Sequence, residues 1–205
     1  YKADPVLQAA HASTAFIVSF DDHEVDNNWA AEIDENDTPR DVFLLRRASA
    51  FQAYYEHMPL RLSSIPHSNQ MLMYRRFKYG SLAEVNVLDT RQYRSNQPCG
   101  DGLSSNCAEA LDPSRTMLGR EQEKWLLDGL SRSSAIWNVH AQQVWMMRYD
   151  GSPYESEVRQ NMDSWDGTAV ARQRLFDYWQ QHQISNPIVL TGDVHTNWAA
   201  ELKAN

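Results

Sequence analysis

Three apolar runs break off abruptly into clusters of polar, chemistry-bearing residues, and this restricts the fold more than any other feature of the chain. Residues 15–20 (Ala-Phe-Ile-Val-Ser-Phe) run into Asp21, Asp22, His23 and Glu24. Residues 135–139 run into His140, Ala141, Gln142 and Gln143, and residues 187–191 into Gly192, Asp193, Val194 and His195. Short β-branched runs ending this way read as buried strands that deliver loops to one edge of a sheet. Helical patterns lie between them, at residues 39–57, 118–130 and 168–182. Thr38 suits an N-cap, Pro39 the first helical position, and Pro59 the stop. Residues 71–77 and 82–88 read as two strands around Gly80-Ser81. Strands alternating with helices predict an α/β fold, whose sites gather where loops leave strand ends.

The chain has 205 residues and a formal net charge of -8, from 19 Lys+Arg against 27 Asp+Glu. It is long enough to bury a core of its own, as one domain. The acidic balance argues against specific nucleic-acid binding, because a phosphate backbone attracts Lys and Arg. No apolar run approaches the ~20 residues that span a bilayer. The chain starts at Tyr1 without a leader, and residues 198–205 read as a strand still in progress, so we expect an internal fragment of a longer protein.

Cys99 and Cys107 sit in a loop of turn-forming residues. Closure as a disulfide, two free thiols and a metal pair are all compatible with that placement. A bridge would place the protein outside the cytoplasm.

The densest cluster, residues 21–28, packs four acids, one histidine and two asparagines into eight positions. Oxygen-rich sets of this kind suit hard cations, and mixed oxygen–imidazole sets suit iron or zinc; the plain alternative is a solvated loop with Asx turns. Asp193 and His195 are two residues apart, which in extended chain puts both side chains on one side, and Gly192 allows a sharp turn before them. A buried Asp–His hydrogen bond would explain the pair equally simply. His140 is a candidate ligand or a satisfied core residue, and the amides of Gln142 and Gln143 could hold a ligand or bind backbone. Arg91, just past a strand end, offers a planar fork for phosphate or a partner for a buried acid such as Asp89. Trp165 could wall a pocket or pack at its rim.

The pattern resembles the calcineurin-like metallophosphatases, whose strand ends read Gly-Asn-His-(Asp/Glu) and Gly-His-x-His. Here Asp22-His23-Glu24 and Gly192-Asp193-Val194-His195 stand in those places, each departure replacing a neutral ligand by a carboxylate. This altered set is similar to the PhoD family of alkaline phosphatases and phosphodiesterases. Residues 20–28, 79–80, 88–94, 118–122, 163–167 and 192–195 match in the expected order, so the resemblance covers nearly the whole chain. Thr168 departs from it, where an aromatic is expected.

The resemblance implies a two-sheet αββα metallophosphatase-like core, incomplete at both ends, with residues 1–205 forming part of a catalytic domain. It implies a site holding iron(III) and calcium: Asp22 and Asn27 (or Asn28) toward calcium, Asp193 and His195 toward iron. His23 would be the catalytic acid or phosphoryl hydrogen-bond donor, oriented by Glu24, and Arg91 would bind phosphate. It further implies an exported, secreted or periplasmic enzyme acting as a monomer on small or polymeric phosphoesters. The family's first metal motifs, a strand-end Cys and a Gly-Asp-x-x-Tyr segment, are not in these residues, so this piece alone is expected to be inactive. Two other readings compete. A calcium-stabilised, non-catalytic binding module would use the seven Trp and nine Tyr as stacking surfaces. A serine or cysteine hydrolase would need a nucleophile such as Ser164, but no Gly-x-Ser-x-Gly elbow is present.

Overall fold

The computed structural model describes residues 3–203. Helix α1 (Pro5–Ser13) is capped by the Asp4 carboxylate, which accepts from the Val6 and Leu7 amides. Helix α2 (Arg40–His57) follows the acidic turn. Strands β1 (Arg75–Tyr79) and β2 (Ala83–Val87) form a hairpin around Gly80. A short strand β3 (Leu103–Ser104), helix α3 (Gly119–Leu130), β4 (Trp137–Ala141), a short β5 (Gln160–Asn161), α4 (Ala169–Gln181) and β6 (Pro187–Leu190) complete the order.

The main sheet runs β1-β2-β4-β6, with β2, β4 and β6 parallel; β3 and β5 pair separately as a two-stranded ribbon. Parallel strands joined through α3 and α4 bring their carboxyl ends to one edge, which is where an open α/β sheet builds a site. This is the α/β architecture read from the sequence.

Strand register sorts the side chains onto two unlike faces. Arg76, Glu84, Asn86, Asn138, His140 and Val189 share one face. It lies beneath α3 and α4: the Arg76 guanidinium sits 4.4 Å over the Trp125 ring, and His140 stacks 4.9 Å from Trp179. The other face carries Phe77, Tyr79, Val85, Trp137, Val139, Ile188 and Leu190. Tyr79, Trp137, Ile188 and Leu190 remain exposed there.

Two apolar clusters hold the rest. One joins Leu88, Leu126, Trp165, Leu175 and Trp179 between the helices and the sheet. The other is an aromatic knot of Phe20, Trp29, Phe43, Phe51 and Tyr54 that fastens α2 to the acidic turn.

Three sequence expectations fail. Residues 15–20 form no strand: they pair with no ladder among the described residues, although Phe16, Val18 and Phe20 are the more buried positions. Side chains meet their polar groups instead, with Arg75 donating to the Val18 carbonyl and Gln143 to the Ser19 hydroxyl. Alternating hydrophobicity gave the right face, but a strand also needs a neighbour. Residues 198–203 likewise form no strand, and Ala204 and Asn205 lie outside the described residues. Trp165 is core, wholly buried, and its indole N–H donates to Gln142 Oε1 at 3.1 Å. Two residues on, Gly167 packs against the Met162 backbone, where an added Cβ would stand 2.0 Å from the carbonyl oxygen.

Candidate active site

Gln143, at the end of β4, stitches the strand ends together. Its Oε1 accepts from the Thr90 amide (2.9 Å) and hydroxyl (2.7 Å), and its Nε2 donates to the Leu88 carbonyl (2.8 Å). Its own carbonyl accepts from Gly192 N (3.0 Å) and Thr191 Oγ1 (2.7 Å). Both glutamines serve the scaffold, because Gln142 bonds the Val144 carbonyl and the Trp165 indole. With Ser19, Leu88, Thr90, Thr191 and Gly192 all tied to this one residue, by its side chain or its carbonyl, the segments that follow them converge.

The acidic turn is folded around Asp22. Its carbonyl accepts from the Val25 and Asp26 amides, and its carboxylate accepts from His23 N (2.8 Å) and Asn28 N (3.0 Å). Asp26 bonds Arg46 of α2, which anchors the turn to the helix. Asn28 takes a left-handed φ of 46° to complete the turn, a conformation that asparagine tolerates.

On the opposite strand end, Asp193 (φ 69°) and His195 (φ 55°) are both left-handed, so the segment is not the extended chain expected; the bend falls on these two residues and not on Gly192. Backbone held in this region costs energy and concentrates at functional sites.

These residues meet in a cavity of about 350 Å³ whose lining includes Asp22, His23, Asn27, Asn28, Asp193 and His195. Asp22 and His195, remote in sequence, thus share one cavity. Carboxylate oxygens of Asp21, Asp22 and Asp193 lie within 4.8 Å of one another. Asp21, Asp163 and Asp166 were not picked out as site residues from the sequence, although all three sit inside matched segments. What marks them is the cluster they join, which only the fold reveals.

Crowding shows in the proton affinities. Burial pushes Asp21 up to about 6, and Asp22 and Asp193 add to the rise against the pull of Arg91. Burial also raises Asp193, helped by Asp163 and Asp22 and opposed by Arg91 and His195. Asp163 behaves oppositely: in spite of burial, Arg94 and Arg91 hold it below the usual carboxylate range. Arg91 offsets only part of this charge, since Asp21 and Asp193 stay raised in spite of it, and carboxylates crowded in this way suit a hard cation.

Arg91 differs from the sequence assignment. Its side chain is fully buried, its Nε donates to Asp21 (2.7 Å), and its fork grips Asp163 at 2.9 and 3.0 Å. A guanidinium engaged on two acids and absent from the cavity lining is not placed to bind phosphate; the buried-acid alternative describes it, with Asp163 and Asp21 as the acids. Glu24 also differs, since its carboxylate accepts from the Asp21 amide (2.8 Å) and not from His23. His23 is 74% exposed at its side chain, with Nε2 3.9 Å from Asp22.

Asn27 and Asn28 each commit the amide nitrogen to an acid, Glu35 (2.5 Å) and Asp101 (2.7 Å). That leaves each carbonyl oxygen as the available ligand atom. His140 does not reach the cavity: it is fully buried beneath Trp179. Ser164 is engaged by the Asn161 carbonyl and the Asp166 amide, and Cys99 and Cys107 form a disulfide, so neither nucleophile needed by a serine or cysteine hydrolase is free. A larger groove, about 850 Å³, lies between α4 and β6, but it is lined largely by apolar groups such as Phe176, Ile184 and Ile188.

Comparisons with known proteins give the family of the chain. The PhoD-like phosphatase family model matches residues 1–205, and the chain belongs to that family. Among curated proteins, alkaline phosphatase D of Bacillus subtilis (strain 168) is 48% identical over 202 residues, covering 98% of this chain. The chain spans only 34% of that protein's length. The solved structure of PhoD superimposes with a TM-score of 0.90 at 48% identity, covering 94% of this chain and 37% of that one.

Proposed function

We propose that the full-length protein is a secreted or periplasmic, metal-dependent phosphatase that hydrolyses phosphomonoesters, phosphodiesters or both. One observation carries the reading. The cavity lining contains Asp22 and Asp193, which no Lys or Arg pairs among the described residues, beside Asp163 and Asp166, which buried arginines neutralise. A phosphoester is an anion, and such a lining repels it unless cations stand between. The relative in Bacillus subtilis is named an alkaline phosphatase. The Cys99–Cys107 bridge fits export, and no described helix is long and apolar enough to cross a membrane.

The donor set fits iron(III) and calcium: carboxylates and amide oxygens suit a hard cation, and one imidazole among carboxylates suits iron. Asp22 and Asn27 would hold calcium, and Asp193 and His195 iron. Asp21, whose carboxylate lies in the same trio, would steady them. When bound, the cations would neutralise phosphoryl oxygens and activate water for attack.

The chain's own residues do the rest. Asp22, locked by two backbone amides, fixes the position of the acidic turn. Arg91 and Arg94 keep Asp163 ionised, and these buried ion pairs hold the acidic turn against the segment that carries Asp163. His23, exposed at the mouth, donates a proton to the departing alkoxide or a hydrogen bond to the phosphoryl group.

The test is turnover of p-nitrophenyl phosphate and of bis-p-nitrophenyl phosphate by full-length protein, before and after chelation. Hydrolysis that disappears with chelator and returns with added metal supports the reading. Metal binding without turnover of either ester would instead describe a calcium-stabilised binding module.

A further inference from the structure

Asn28 is held on three sides, and two of the holds come from far along the chain. Its backbone N–H donates to Asp22 Oδ2 (3.0 Å) within the acidic turn. Its carbonyl accepts from Gln97 Nε2 (2.6 Å), and its side-chain nitrogen donates to Asp101 Oδ2 (2.7 Å). Gln97 also donates to Asp163 (2.6 Å), so one side chain fastens both the turn and the buried ion pair behind it. Asn27 differs, because its side chain is held by Glu35, which lies in the same stretch of chain.

A carboxylate that has lost its proton can only accept. The nitrogen end of the Asn28 amide therefore faces Asp101, and its oxygen end faces away. Without such a partner an amide turns about its last bond and presents N–H protons as readily as oxygen. A cation repels those protons. Groups that fix the orientation of a metal ligand carry about 10–100-fold in affinity.

Asp101 comes within reach because it lies in the loop closed by Cys99 and Cys107, and Gln97 stands just before that loop. Between them Cys99 (φ 57°) and Gly100 (φ 82°) are left-handed, and Gly102 (φ 95°) follows. Glycines leave such a segment many conformations, and the bridge removes most of them. The far side of the loop is pinned too: the Met162 amide donates to the Gly102 carbonyl (2.8 Å), and Leu103 pairs with Asn161.

We propose that Gln97 and Asp101 are positioning residues for the calcium side of the site, keeping the Asn28 side-chain oxygen turned toward the cation, and that the Cys99–Cys107 bridge sets calcium affinity by holding them in reach. The inference rests on the metal-dependent reading above, with Asn28 beside Asn27 on the calcium side, and adds to it what tunes the affinity.

The experiment is calorimetric titration of calcium into the full-length protein after dialysis against EGTA. Asp101 is exposed, so its replacement leaves the packing alone. Asp101→Ala should weaken calcium about tenfold, whereas Asp101→Asn, which still accepts through its amide oxygen, should stay within about threefold of wild type. Asn28→Ala should weaken calcium as well, and adding Asp101→Ala to it should cost nothing further, because the two act through one bond. Cys99→Ser together with Cys107→Ser should weaken calcium about threefold or more. Affinity within about twofold of wild type in Asp101→Ala, or full additivity with Asn28→Ala, overturns the positioning role. Wild-type affinity in the paired serine variant overturns the part given to the bridge. A wild-type protein that binds no calcium overturns the metal-dependent reading and the positioning with it, an outcome distinct from equal binding by wild type and variants.

Discussion

Arg91 and Asp163 meet fork to fork, at 2.9 and 3.0 Å, with both side chains almost completely removed from water. Asp163 also takes donors from Arg94 (2.9 Å) and Gln97 (2.6 Å), while Arg91 reaches on to Asp21. One buried ion pair thus ties the acidic turn to the segment that leads into Trp165. Breaking such a pair leaves an uncompensated charge in a dry place. Arg91→Gln should therefore destabilise the full-length protein by about 3–5 kcal/mol, with a smaller loss for Arg91→Lys. Chemical denaturation monitored by tryptophan fluorescence measures both; an unchanged midpoint for Arg91→Gln would contradict the arrangement.

Asp193 lies in a crowd of like charges. On the proposed iron assignment, Asp193→Asn should lower the iron content of purified full-length protein and any visible absorption that the metal gives. Without metal, the same variant should melt no lower than wild type, because a repulsive charge has gone. Elemental analysis and a melting curve in chelator separate the two effects. Full iron occupancy in the variant would reject Asp193 as a ligand.

For His23, separation of roles is the test. His23→Ala should reduce turnover about 10²–10⁴-fold while metal content stays near wild type. Metal lost together with activity would make His23 a ligand instead.

His140 gives the protein an acid limit of its own. Burial, with Arg76 nearby, lowers its folded-state pKa from 6.5 to about 3. Between those values the unfolded chain binds a proton that the folded chain refuses, so stability falls as pH drops through that window. The slope is about 1.4 kcal/mol per pH unit from this group. Above pH 6.5 both states are neutral and the effect disappears. His140→Phe should flatten the stability–pH curve between about 6 and 4. An unchanged slope would show that another group sets the limit.

The disulfide closes a short loop of sequence separation 8. Replacing both cysteines by serine should cost about 2–3 kcal/mol through the greater freedom of the unfolded loop. Differential scanning calorimetry of the pair of proteins checks this.

Much of this architecture was legible because periodicity and punctuation agreed. Pro39 and Pro59 bracketed α2, Gly80 marked the hairpin, and the Asp22 and His195 motifs fell in one cavity. The failures have physical causes. A strand is a relation between segments, so residues 15–20 could show the right pattern and still lack a partner. Arg91 offered the same fork to a phosphate or an acid, and only the fold revealed that Asp163 and Asp21 reach it first. The β3–β5 ribbon was invisible because two-residue strands carry no period.

The bare flank of the main sheet has a practical consequence. Tyr79, Trp137, Ile188 and Leu190 make an oily, pleated plane, and β6 borders it as an edge strand among the described residues. An exposed apolar sheet face with an open edge is a site for edge-to-edge association when the protein is concentrated. Lysine placed on that plane should therefore raise the concentration at which the protein stays dispersed.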